Sequence, residues 1–370
     1  MDAFLMSLFQ VDYYFNKPIT KMKKIALFIM LIISVKNYSQ VSISPSERGA
    51  NEEFKGEDLN DFKKTTTVFI LSNVYKKEDY EKILKEVWTV TPFIVVDYND
   101  FKVNEYANGN FSIAKLFGDI IETSHGPSVG LGSTHGMKYI HVNLVVKTIN
   151  SVKFQKSFAK LKPEDKKYSR KLRTIFDENS SFIAKVPLCV NNKFLNEIMR
   201  SETSYEKLSI LYEKMYTETS FTNTNLGMLK NYFQQISQSL NKGEHYGLHD
   251  DFSKPEIKKL KDDVLYIPEV YMMEYNPWKG TEKIKDDKDL KKLLEHYKYK
   301  FEFIADSDLE KRILNNEEIF YLRYVSMNAN KYLQVVNGKT GEPAYYFYGA
   351  MTYNLKDDDF KNINKAINAK

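Results

Sequence analysis

Only one cysteine, Cys189, occurs in the 370-residue chain, so no disulfide can form within it. Stability must come from core size, and a chain that is 42% hydrophobic and 14% aromatic has enough for real cores and is no wholesale disordered polymer. Long apolar runs are missing too. Residues 25–35 form an apolar stretch of about eleven, well short of the roughly 20 that a membrane span needs. Charge of one sign is scarce: 54 Lys and Arg against 49 Asp and Glu leave +5. Nucleic-acid binders show a concentrated basic face, so no nucleic-acid partner is expected.

What is present begins with a leader. Lys21, Lys23 and Lys24 precede the apolar run, and Lys36, Asn37, Tyr38, Ser39 and Gln40 follow it. A basic region, a short apolar region and a small residue at the end make a signal peptide over residues 22–39, cleaved after Ser39 or kept as an uncleaved anchor. No cysteine stands at the end of the apolar region, which excludes a lipoprotein anchor. Residues 1–21 are an extension upstream of a start at Met22, or part of a longer N-terminal apolar segment. Residues 40–62 are polar and read as a mobile linker.

The length suggests about two domains. The first, residues 63–150, opens on a strand at 68–71. A helix at 78–88 follows, with Tyr80, Ile83, Leu84, Val87 and Trp88 on one face, and then a strand at 93–96. Asp100 is placed to cap a short helix, and residues 139–146 alternate as a strand. The second domain, residues 263–370, repeats the grammar: strand 264–267, helix 289–297, strand 301–304, helix 308–315, strand 319–325. A hairpin of 332–336 and 344–348 then turns through Asn337, Gly338, Lys339, Thr340, Gly341 and Glu342, and a helix at 357–367 closes the chain. Residues 93–101 (FIVVDYNDF) and 301–309 (FEFIADSDL) align without a gap, as a duplicated unit would. Between the two lies a basic, helical connector, residues 151–262, with helices at 194–216 and 226–240, the latter stopped by Gly243. The fold class is therefore α/β (α+β): two small mixed-sheet domains, duplicated or alike by patterning alone, with a helical connector.

Leu290, Leu293 and Leu294, the strand 301–304 with Asp306, the helix 308–314 and the Lys339-Thr340-Gly341-Glu342 turn, closed by the helix 360–367, carry a resemblance. This C-terminal third resembles the small α/β domain of Gram-negative envelope proteins of the curli-secretion and Tol–Pal propeller N-terminal type. The resemblance implies an assembly or scaffold role and brings no catalytic residue with it.

The chemistry candidates are few. His245 and His249 are four apart and followed by Asp250 and Asp251, which on a helix could hold zinc. Gly243 and Gly247 argue against a helix, and no glutamate stands between the histidines. His125, His135 and His141 lie in or beside a run with Gly126, Gly130, Gly132 and Gly136 that lacks the Lys-Ser/Thr ending of a phosphate loop. Ser128 and Ser133 lack the setting of a nucleophile elbow. Cys189 reads as a buried strand thiol. Residues 151–173 carry Lys153, Lys156, Lys160, Lys162, Lys166, Lys167, Arg170, Lys171 and Arg173 and form either a solvated helical face or a contact for anionic lipid or acidic polymers. The expectation is thus an exported, periplasmic or secreted, non-enzymatic scaffold or binding protein with a protein or envelope component as partner. No catalytic, cofactor or metal site and no membrane span after cleavage are expected. The alternative is a metal-dependent or other hydrolase built on the histidine-containing loops.

Overall fold

Strands form where apolar and β-branched residues cluster, and here they gather into two sheets. The computed structural model describes residues 41–55, 58–123, 137–165, 167–200, 204–276, 281–327, 330–352 and 354–369, all within one compact unit. The first sheet draws on β1 (Ser42–Ile43), β2 (Thr66–Ile70), β3 (Phe93–Val96), β4 (Phe111–Thr123), β5 (Met137–Ile149) and β6 (Ser180–Leu188). Among these strands come α1 (Asp58–Lys63), α2 (Lys77–Val87), α3 (Val103–Tyr106), α4 (Ser151–Phe158) and α5 (Tyr168–Glu178). Three helices follow: α6 (Asn192–Arg200), α7 (Ser204–Thr217) and α8 (Leu226–Lys242).

The second sheet takes β7 (Phe252–Ser253) and β8 (Leu265–Pro268), with a 3-10 helix, Pro255–Lys261, between them. A separate hairpin, β9 (Met273–Asn276) and β10 (Thr281–Ile284), and α9 (Asp287–Leu293) come next. Then follow β11 (Phe301–Ile304), α10 (Asp306–Leu314), β12 (Phe320–Met327), β13 (Asn330–Asn337), β14 (Pro343–Ala350) and α11 (Asp357–Asn368).

The two sheets repeat one topology. The first runs β3-β2-β4-β5-β6-β1 and the second β11-β8-β12-β13-β14-β7, the same order once each set is counted along the chain and the β9–β10 hairpin is set aside. Directions agree as well. β2 lies parallel to β3 and β4, as β8 does to β11 and β12, and the other pairings in both sheets are antiparallel. Pairing Phe93 with Phe301 and following the registers across the sheets sets Lys115 on Arg323 and Val145 on Gln334. The same walk sets the register irregularity at Val146/Lys147 on the one at Val335/Val336. A bulge at the same place in both sheets is an independent agreement, because nothing in the strand order requires it. The crossover helices also agree: Trp88 after α2 packs on Phe69, and Leu293 of α9 joins Leu265 and Ile267, the counterparts of Thr67 and Phe69.

Helix α8 joins the halves. Asn225 caps it by accepting from Met228 N at 2.8 Å, and Gly243 ends it in a left-handed conformation (φ 69°). Its Phe233 packs edge-on to Phe69 of the first sheet at 5.3 Å. On the other side Tyr321 OH donates to Asn231 Oδ1 at 3.0 Å, and the Arg323 guanidinium lies 4.2 Å over the Tyr232 ring. The β13–β14 turn docks on it too, through Asn231 Nδ2 donating to Gly338 O at 3.0 Å. A Cβ on Gly341 (φ 71°) would stand 2.8 Å from Asn231 O, so the turn needs glycine there for both conformation and room.

Several sequence expectations shift. Residues expected as a linker contain β1 and α1, and Val41 and Ile43 are fully buried because β1 completes the edge of β6. The boundary at 150/151 falls between β5 and β6 of one sheet, and β7, placed in the connector, belongs to the second. The basic stretch forms two helices, and the stretch 194–216, expected as one helix, is two as well. Lys102, not Asp100, precedes α3 as its N-cap residue. Cys189 follows β6 instead of lying in it.

Candidate functional site

In the first sheet, alternation sends Thr67, Phe69, Ser112, Ala114 and Val146 toward α2 and α8, and Ile113, Lys115, Phe117, Asn143, Val145 and Lys147 to the opposite face. That opposite face is covered by α4 and α5, whose Phe154 and Phe176 are buried. It carries cations in unusual number. Lys115, Val145 and Lys185 stand side by side on β4, β5 and β6, and Lys147 lies two residues along β5.

Among the described residues a single carboxylate reaches the cluster centre. Asp177 Oδ1 of α5 accepts from Lys147 Nζ at 3.1 Å and stands 3.9 Å from Lys115 Nζ. The Lys115 ammonium lies 4.1 Å from the centre of the Phe176 ring, and Lys147 and Lys185 lie 4.3 and 4.5 Å from that of Phe182. These rings offer a weak cation–π attraction and no hydrogen bond. Lys185 Nζ donates to Glu47 O. The Lys147 side chain is 2% exposed, Lys115 14% and Asp177 27%, so the cluster is buried on one side and opens to solvent on the other. Burial pushes Lys115 and Lys185 down to about 8, Lys147 reinforces both shifts, and Asp177 and Glu47 respectively oppose them. The buried Asn143 Oδ1, in the neighbouring row of the same face, has no hydrogen-bond partner among the described residues.

Outside this face, α4 and α5 hold a groove of about 520 Å3 between them, lined by Lys160, Lys167, Arg170 and Lys171. Asp165 accepts from Lys171 at 2.9 Å, a bond that holds its carboxyl below the usual range. Lys160, Lys167 and Arg170 have no ion pair among the described residues.

The histidines do not converge where they are described. His141 lies on β5 opposite Asp119, its imidazole pushed down chiefly by burial. His245 Nε2 lies 3.5 Å from the exposed Glu53. His249 packs edge-on to Tyr348 at 4.7 Å, and neither it nor His245 is on a helix. His125, His135, Ser128 and Ser133 fall outside the described residues. Among the described residues no group of three His, Cys, Asp or Glu side chains is placed to hold a metal ion. Burial pushes the largely buried Cys189 thiol up, away from the reactive thiolate.

A crevice of about 120 Å3 beyond the carboxyl end of β2 is lined in part by Tyr75, Asn225 and Asp306. Its polar groups bind one another: Tyr75 OH and Leu226 N both donate to Glu310 Oε2, and Asn225 Nδ2 donates to Asp306 Oδ1 at 2.7 Å. It is an internally satisfied joint between α8 and α10.

No family model, curated protein or solved structure matches the chain. The function must be argued from these residues. Sequence reasoning missed the lysine face, although a signal existed. Each lysine stands alone inside an apolar strand (SIAKLF, NLVVKTI, FIAKVPL), with apolar neighbours on both faces, which marks it as a candidate for burial.

Proposed function

We propose that the protein is an exported, non-enzymatic scaffold or binding protein of the envelope or the secreted space, and that α4–α5 is the surface with which it engages an anionic envelope component. The observation that carries this reading is the groove whose Lys160, Lys167 and Arg170 have no ion-pair partner among the described residues. Its position in the repeat adds weight. The β5–β6 connection holds the helix pair, whereas the equivalent β13–β14 connection is a short turn, so the cations sit on an addition to the shared framework. We read the repeat as a duplication, in which one copy gained a binding surface. Each sheet also ends on an edge strand, β3 or β11, whose Ile94 and Phe301 are exposed and offer apolar surface to a partner. The resemblance of the C-terminal third to envelope-protein domains supports the same compartment.

Two measurements test it. Mass spectrometry of the mature protein should find an N-terminus at Gln40; an intact peptide spanning residues 25–40 would refute cleavage. The tagged full chain should capture a component of its own envelope fraction at low salt. K160E/K167E/R170E should weaken capture by roughly tenfold or more, as loss of several screened contacts does. Equal capture by the triple variant would remove α4–α5 from the reading.

A further inference from the structure

We propose that the Lys115–Lys147–Lys185 face beneath α5 is a binding site for a doubly charged oxyanion, a phosphate or sulfate group presented free or as an ester. The two sheets of the repeat treat the same position differently. In the second sheet the position of Lys115 is held by Arg323, fully buried, and the residue across from it on β13 is Gln334. Gln334 Oε1 accepts from Arg323 Nε at 2.8 Å and also from Nη2, Gln235 Oε1 of α8 accepts at 3.4 Å, and the Tyr232 ring lies beneath. There the slot serves packing, and amide oxygens solvate the cation. In the first sheet the cation is kept while those acceptors are absent. The residue across from Lys115 is Val145, which accepts nothing from a side chain, and beyond it comes a second lysine, Lys185. Among the described residues Lys115 Nζ has a phenylalanine ring and an oxygen at 3.9 Å, and no hydrogen bond.

Burying charge without acceptors is costly, and lysine is almost never buried unpaired. Two ammonium groups share one Asp177 oxygen, and a third, Lys185, stands in the same row bonded to a backbone carbonyl, which leaves an excess of positive charge in a partly dry site. The charged groups nearby are few: Arg173 of α5, stacked 3.7 Å over Tyr212, Glu47 beside Lys185, and Asp119 opposite His141. An oxyanion with several lone pairs would accept from the lysine ammoniums that the protein leaves undersatisfied. The donors are held in place: Lys147 is more than nine-tenths buried, and Lys115 stands toward the solvent side. This site is separate from the outer groove and does not rest on that reading.

Isothermal titration of the full chain at pH 7 with sodium sulfate and with sodium phosphate, against sodium chloride and sodium acetate at matched ionic strength, tests it. Saturable binding of sulfate or phosphate is expected, and the stronger of the two names the ester class. Lys115→Met and Lys185→Met should each weaken binding at least tenfold while keeping the circular dichroism of the parent, and Lys115→Arg should retain it. K160E/K167E/R170E should bind as the parent does, which separates this site from the groove. Absence of saturable binding by either dianion, acetate binding as tightly as sulfate, or full binding by Lys115→Met would overturn the proposal.

Discussion

Asp359→Ala is expected to destabilise the protein by about 3–5 kcal/mol, because it strands a buried ammonium. Asp359 lies in the first turn of α11 and takes both its oxygens to Lys331 Nζ of β13, at 2.6 and 2.7 Å, with side chains only 3% and 4% exposed. Its Oδ2 also accepts from Lys356 N at 2.8 Å, so the carboxylate anchors the helix start as well. Removing one partner leaves the other's desolvation uncompensated, whereas removing both with apolar residues of similar size leaves no orphan charge. Urea denaturation should therefore show Lys331→Met/Asp359→Leu much closer to the parent than Asp359→Ala. Similar midpoints for the parent and Asp359→Ala would show that the pair contributes little.

Stability should rise between pH 8 and about 10, the opposite of what a chain with ordinary surface lysines does. Lys115 and Lys185 sit at about 8 in the folded chain, against an ordinary value of 10.5. Below pH 8 both states carry the charge, and the folded state bears the full cost of burying it. Between the two values the folded chain gives up protons that the unfolded chain still holds, so ν_U exceeds ν_N and stability climbs, by on the order of 3 kcal/mol per lysine at most. Above about pH 10 the trend reverses. Burial holds the phenols of Tyr80, Tyr232, Tyr246 and Tyr324 well above their usual range, while in the unfolded chain they ionise. Thermal melts from pH 7 to 11 should show a maximum near pH 10, and Lys115→Met should flatten the rising limb. A level or falling profile from pH 7.5 to 9.5 would count against uncompensated burial of these lysines.

The local pattern was readable where one period ruled. The apolar runs of β3 and β11 mark them to the residue, and the stripe and terminal glycine of α8 mark its start and bring its end to within two residues. The 13-residue β4 was not, because Gly118 and Asp119 break its middle. Glycine is needed there: a Cβ would meet Leu211 of α7 at 2.8 Å, a long-range contact that no local pattern carries. β1 was missed because two residues have no period, and only the edge of β6 makes them a strand. The lysine face was hidden for a related reason. Which face of a strand meets a helix, and whether that helix brings one carboxylate or three, depends on elements tens of residues apart, such as Lys115 and Asp177.

With 13 of its 17 residues buried, α8 has no face to spare for water. It follows the first sheet in the chain and precedes the second, yet it is the interior of both. A chain cut after Lys242 would present Asn231, Tyr232 and Gln235 where Tyr321, Arg323 and the β13–β14 turn should cover them. A chain begun at β7 would leave Arg323 without its aromatic bed. If the two halves descend from one ancestor, that ancestor had to cover its sheet differently, with a helix of its own or a second copy. On that descent independence was given up when α8 became common property; in the fold as it stands the halves are alike in plan and dependent on one helix.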